Sequence, residues 1–185
     1  MRFNNHFSVE GLHAFLGASK YHWVNYDIDK MENVFEKRLA SQLGDRKHAW
    51  AAEAIRMGLR QERNNKTLNS YINDAIGFRM TPEVILYYST NCFGTADTIC
   101  FSDNRLRVHD LKTGTHPGSV HQLEIYCALF CLEYRINPYD IEMELRLYQN
   151  DDIAIFQGDP KWIREIMDKI KLFDDRIEEM KEVMK

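Results

Sequence analysis

Gly94-Thr95-Ala96-Asp97-Thr98-Ile99-Cys100-Phe101-Ser102-Asp103-Asn104-Arg105-Leu106-Arg107-Val108-His109-Asp110-Leu111-Lys112-Thr113-Gly114 reads as a β-hairpin that carries two carboxylates and a lysine. Residues 95–101 and 106–111 are rich in β-branched and apolar side chains, and Ser102 to Arg105 supplies turn chemistry between them, so two antiparallel strands are expected. Such a hairpin brings Asp97 and Asp110 together. Side chains alternate along a strand, which points Asp110 and Lys112 the same way and sends Leu111 between them into the core. Two neighbouring carboxylates raise each other's pKa unless a cation lies between them, and oxygen ligands of this kind suit Mg²⁺ or Mn²⁺. A lysine beside that cation can orient and help deprotonate a water, or stabilise charge growing on a phosphate. The set suits phosphodiester hydrolysis. The plain alternative is two solvent-facing strand-end acids beside a surface lysine.

Further residues fall in order around the hairpin: Gly44-Asp45-Arg46-Lys47-His48 before it, Gly94-Thr95-Ala96-Asp97 and Asp110-Leu111-Lys112 within it, and Gln122-Leu123-Glu124-Ile125-Tyr126 after it. This series resembles the PD-(D/E)XK nucleases, in the branch of the RecB nuclease domain, the CRISPR adaptation nucleases and phage exonucleases. That branch shows G-x-x-x-H on a helix, G-x-x-D and D-x-K on successive strands, and Q-x-x-x-Y on the next helix. The resemblance spans residues 19–135. It implies a restriction-endonuclease-like core, and His48, Asp97, Asp110 and the Leu111 backbone carbonyl as ligands of Mg²⁺ or Mn²⁺. It also implies Lys112 as the group that positions the attacking water, with Gln122 and Tyr126 orienting the scissile strand. The implied activity is a metal-dependent deoxyribonuclease, an exonuclease by family habit, of a phage or mobile element in DNA recombination, repair or processing. Its partner is single- or double-stranded DNA, with a second copy or a recombination protein as further candidates. A catalytically silent nuclease fold that binds DNA or protein is the alternative, as is a subunit in which metal only stabilises the fold. An imidazole ligand at His48 softens the site towards Mn²⁺.

At 185 residues, 44% hydrophobic and 28% charged, the chain can bury one sizeable core, and a single domain over 1–185 is expected. That domain divides into a helical part at 1–80, a sheet core at 83–157 and a C-terminal helix at 160–184. Cysteines 92, 100, 127 and 131 lack C-x-x-C spacing. With no secretory leader and no apolar run of about 18 residues, the expected setting is the cytoplasm of a bacterial or phage-infected cell, without a membrane partner and with reduced thiols. Some members of the family carry an iron-sulfur cluster on cysteines flanking the core; no cysteine precedes 92 or follows 131, so no cluster is expected. A net charge of −4 argues against strong non-specific nucleic-acid binding over the whole surface. The charge is uneven, however. Acids crowd 174–185, while Arg38, Arg46, Lys47, Arg56, Arg60, Arg63 and Lys66 make the first third basic, and a local patch can steer DNA.

Along the chain, residues 9–16 form a short helical or turn segment, and Ser19 suits the N-cap of a helix carrying Tyr21, Trp23, Val24 and Tyr26. Helical spacing over 29–63 predicts two helices meeting near Gly44. Residues 68–76 predict another, and the sheet is expected to begin after Pro82 with a strand at 83–88. The family that the chain resembles often has a glutamate at about this place, near the active-site end of the first strand, and the resemblance makes Glu83 a candidate for a second metal or a bound water, a solvent-facing acid being the alternative. A loop at 113–118, a helix at 120–134 opening at Ser119, strands at 140–148 and 153–156, and an amphipathic helix from Pro160 complete an α/β chain with a mixed central sheet flanked by helices.

Overall fold

The computed structural model describes residues 5–114 and 117–183; Thr115 and His116 of the expected 113–118 loop, and residue 184 of the expected last helix, lie outside them. Two compact units divide between Leu43 and Gly44. In the first, residues 9–16, expected as a short helix or turn, hold turns at 10–11 and 15–16 after a 3-10 turn at Phe7–Val9, whereas the helix expected from Ser19 is a 3-10 segment, Ala18–Asn25, broken by non-helical angles at Lys20. The Trp23 indole N–H closes that turn on the Gly17 carbonyl at 3.0 Å. So short a segment makes too few helical hydrogen bonds to offset nucleation, and the indole fixes a tighter turn.

One helix, α1 (Ile28–Arg56), replaces the two expected to meet near Gly44. A mid-helix glycine costs about 1 kcal/mol against alanine but does not break the hydrogen-bond ladder. In the second unit its missing side chain has a use, because a Cβ at Gly44 would stand 2.7 Å from Thr113 Oγ1. Helix α2 follows at Thr67–Gly77.

Five strands form one sheet in the order β1-β2-β3-β4-β5: β1 (Thr81–Ser89), β2 (Cys92–Ser102), β3 (Arg105–Leu111), β4 (Glu142–Gln149) and β5 (Asp152–Gln157). Strand β1 begins two residues earlier than expected, with Pro82 inside it; a proline is tolerated there because β1 is an edge strand. The β2–β3 and β4–β5 hairpins turn on Asp103-Asn104 and Asn150-Asp151, all four at positive φ. Asn and Asp adopt that region more readily than other non-glycine residues, and two positive φ values in succession match the twist of two-residue hairpins. Between β3 and β4 the pairing is parallel, and such strands need a crossover, here α3 (His121–Glu133).

The sheet is covered on both faces. On one, Leu106, Val108, Met143 and Leu145 pack beneath Leu123, Cys127 and Leu129 of α3 and beneath Ile163 and Met167 of α4 (Pro160–Val183). Beyond Ile170 the apolar stripe of α4 leaves the core, and Phe173 and Met180 are exposed. On the other face Leu111 and Tyr148 pack against Ala51, Ala54 and Ile55 of α1 and Tyr71, Ile72 and Ala75 of α2. Within that layer His109 is fully buried, its Nδ1 3.3 Å from the Tyr148 hydroxyl. Burial, with Arg146 and Arg107 nearby, lowers its pKa to about 3. The unfolded chain therefore binds a proton near pH 6.5 that the folded chain refuses until about pH 3, so folding is disfavoured as pH falls through that window. Between pH 7.5 and 5 this group should remove about 2 kcal/mol of stability, and His109→Gln should show a shallower acid slope by that amount in urea melts. Equal slopes would mean that His109 takes up its proton in the folded state.

Candidate active site

Strands β2 and β3 stop pairing where the carboxylates begin. Their last described backbone pair at this end is Thr98 with His109, so the next facing position holds Asp97 and Asp110. Instead of meeting β2 backbone there, the Leu111 N–H donates to Asp97 Oδ2 at 2.9 Å. On the other side of β2 the ladder with β1 pairs Pro82 with Thr98 and Val84 with Ala96, which sets Glu83 opposite Asp97. Glu83 has φ of 55°, an uncommon backbone for a residue with a long side chain. Glu83, Asp97 and Asp110 thus occupy one row across three adjacent strands. The register between β1 and β2 and the positive φ at Glu83 carry no signal in the sequence.

His48 comes to this row from α1, its Nδ1 3.3 Å from Asp97 Oδ2. The hydrogen bond to Asp97 raises its pKa, burial opposes the rise, and the charges of Asp97, Asp110 and Glu83 reinforce it. Asp110 is only 2% exposed. Burial and then the Asp97 carboxylate push its pKa up, against the pull of Lys112. Glu83 is raised for the same two reasons, in the same order.

Lys112 Nζ donates to Asp110 Oδ1 at 3.1 Å and to Gln122 Oε1 at 2.7 Å. It also lies 2.9 Å from Asp110 Oδ2, outside hydrogen-bonding angles, so that buried oxygen accepts no hydrogen bond. Gln122 Nε2 in turn donates to the Tyr126 hydroxyl at 3.1 Å, which donates to the Thr95 carbonyl at 2.6 Å. One turn of α3 separates the amide from the phenol, and the pair forms a chain from the β2 backbone to the lysine. Gly94 makes room for it, since a Cβ there would stand 3.0 Å from Tyr126 Cε1. Gly118 backs the lysine stem, a Cβ there falling 2.9 Å from Lys112 Cγ. Gln149, at the end of β4, ties the following loop on both sides, donating to the Gly114 carbonyl at 2.7 Å and accepting the Gly118 N–H at 2.9 Å. Neither Gly118 nor Gln149 stands out in the sequence, because each acts through strands distant in the chain.

The donor set can be tested against a divalent cation. Two carboxylates at the same strand level, an imidazole, and a buried carboxylate oxygen without a hydrogen bond suit Mg²⁺ or Mn²⁺ chemically. Among the described residues no three His, Cys, Asp or Glu side chains already stand arranged to hold an ion, so side-chain rotation would have to complete the set. All four cysteines are free thiols.

No protein-family model, no curated protein and no solved structure matches the chain. Among the described residues no helix is long and apolar enough to cross a membrane.

Proposed function

We propose that the chain is a Mg²⁺- or Mn²⁺-dependent nuclease acting on DNA, in the manner of the restriction-endonuclease-like PD-(D/E)XK enzymes. One observation carries the reading: three separate elements bring the groups into one chain of contacts, His48 on Asp97, Asp97 accepting the Leu111 N–H, and the neighbouring Asp110 held by Lys112. His48, Asp97, Asp110 and the Leu111 carbonyl would hold the ion, with Glu83 beside them. When bound, the ion supplies charge neutralisation for the phosphate and a lowered pKa for water. Lys112 presents its ammonium to the attacking water or a phosphate oxygen. Gln122 and Tyr126 act as positioning residues, holding Nζ in place and relieving it of a full commitment to Asp110. A non-catalytic DNA-binding module would have no chemical use for a buried carboxylate paired with a lysine held from two sides.

The test is digestion of end-labelled linear and closed circular DNA with Mg²⁺, with Mn²⁺ and with EDTA. Divalent-dependent cleavage is expected, and the circular substrate separates exonuclease from endonuclease action. No cleavage of single- or double-stranded DNA with either metal between about pH 7 and 9, where a lysine-assisted water should work, would overturn the reading.

A ligand imidazole must be neutral, and the His48 pKa is held above its ordinary value by Asp97. Metal affinity should therefore strengthen as pH rises through neutrality. His48→Ala should bind Mn²⁺ more weakly and lose that pH dependence in calorimetric titrations, whereas His6→Ala should change neither. Equal behaviour of the two variants would make His48 structural.

A further inference from the structure

The loop between α1 and α2 carries Arg60 and Arg63 along one wall of a cavity of about 490 Å³, whose other walls include Asn73, Asp74, Phe78 and Ile153. Neither arginine has an ion-pair or hydrogen-bond partner among the described residues, and both are exposed. Free surface arginines usually sit on mobile loops, but this loop is pinned. The Gln61 N–H donates to Asn73 Oδ1 at 2.9 Å and Asn73 Nδ2 returns a bond to the Gln61 carbonyl at 3.0 Å. Asn69 Nδ2 reaches both the Glu62 carbonyl and Asn64 Oδ1 at 3.1 Å, and the Leu59 N–H bonds the Ala54 carbonyl at 2.9 Å.

Positive charge also surrounds the Phe78 side of the cavity. The Arg107 and Arg146 guanidiniums lie over the Phe78 ring at 4.6 and 4.8 Å from its centroid. Asp74 is the one carboxylate in the lining, and it is already engaged, accepting from Arg146 at 3.0 Å and from the Tyr148 hydroxyl at 2.7 Å. Glu144 takes up the remaining charge of Arg146 at 2.9 Å and faces Arg107 at 3.5 Å. Four guanidiniums thus stand against Asp74 and Glu144, with Glu62 of the loop itself accepting from Asn64 Nδ2 at 3.3 Å, in a chain whose net charge is −4. The one surplus charge lies on the loop, where Arg60 and Arg63 have no ion-pair partner among the described residues.

We infer that Arg60 and Arg63 form a phosphate-binding site on a pinned loop. Planar guanidiniums match phosphate bidentately, and with the backbone beneath them already fixed only side-chain freedom is lost on binding. The register places the site beside the proposed centre: Leu111 pairs with Tyr148 and Tyr148 with Ile153, which sets the Ile153 wall two strand spacings, about 10 Å, from Leu111. A nucleic-acid backbone running to the carboxylates would reach this site on its way. That choice of source rests on the nuclease reading, whereas the phosphate site itself does not.

The experiment uses the intact protein in EDTA, so that binding is read without cleavage. A labelled single-stranded oligonucleotide is titrated by anisotropy across a range of NaCl concentrations, and inorganic phosphate and a nucleoside diphosphate are tested by thermal shift. Arg60→Gln/Arg63→Gln changes charge on two exposed side chains, and Arg176→Gln, an exposed arginine on α4, is the control. The double variant should bind the oligonucleotide about tenfold more weakly, with a log K against log[salt] slope shallower by about 1.4, two contacts at about 0.7 each. The control should match wild type. If instead the small phosphates raise the wild-type melting temperature but not the variant's, while oligonucleotide binding is unchanged, the site stands and its ligand is a free phosphate compound. If the double variant binds both classes as wild type does, or if wild type binds neither, the site is refuted. Absence of cleavage with metal would refute the nuclease reading alone.

Discussion

Asp110→Asn should abolish cleavage and, with it, most of the thermal stabilisation that Mn²⁺ gives the wild type. Metal at a hundredfold over its Kd should stabilise the wild-type fold by about 2.7 kcal/mol, and the amide removes one anionic ligand from the set. Without divalent ions the same substitution has the opposite sign. Burial and the Asp97 carboxylate raise the Asp110 pKa, and the Lys112 contact does not outweigh them. A carboxyl whose pKa is higher folded than unfolded binds protons preferentially in the folded state, so its ionisation costs stability as pH rises past the unfolded value. At neutral pH in EDTA, Asp110→Asn should therefore melt no lower than wild type, and higher if the repulsion with Asp97 exceeds the lost attraction to Lys112. Differential scanning calorimetry with and without Mn²⁺ decides this. A variant that keeps the full metal-dependent shift would remove Asp110 from the ligand set.

The hairpin that carries this carboxylate was legible because its signals are local. Period-2 alternation pairs Asp110 with Lys112 across Leu111, and Asp103-Asn104 marks a tight turn whose closure sets Asp97 opposite Asp110. The five-stranded mixed sheet between helical layers follows from the same periodicities. What escaped depends on contacts between distant segments. Glu83 is named as a candidate from the sequence, but its place opposite Asp97 comes from the register of β1 on β2 and from a positive φ, neither of which composition reports. Gly44 reads as a break between helices, yet it lies buried inside one, where Thr113 takes up the space a Cβ would need. Spacing put Gln122 and Tyr126 on one face of a helix, but only the packing of α3 on β2 and β3 makes Lys112 and the Thr95 carbonyl their partners.

Lys112→Met should reduce cleavage by about 10² to 10⁴ while leaving Mn²⁺ stabilisation in place, because it removes three donors and a positive charge but none of the proposed ligands. The deletion also tests what Gln122 does. Gln122 Oε1 holds Lys112 Nζ at 2.7 Å and its amide rests on Tyr126, so Gln122→Ala frees the ammonium to collapse onto Asp110, whose oxygens lie 3.1 and 2.9 Å away. A lysine committed to that carboxylate points less often at a water or phosphate, and kcat should fall with KM little changed. If Gln122 works only through Lys112, the double variant Lys112→Met/Gln122→Ala should cleave no more slowly than Lys112→Met alone, since the second change has nothing left to position. Had Gln122 contacted the scissile strand instead, its loss would multiply with that of Lys112, and KM would rise. Near-wild-type cleavage by Lys112→Met would remove the lysine from the chemistry altogether, and multiplicative losses in the double variant would move Gln122 from positioning the lysine to touching the substrate.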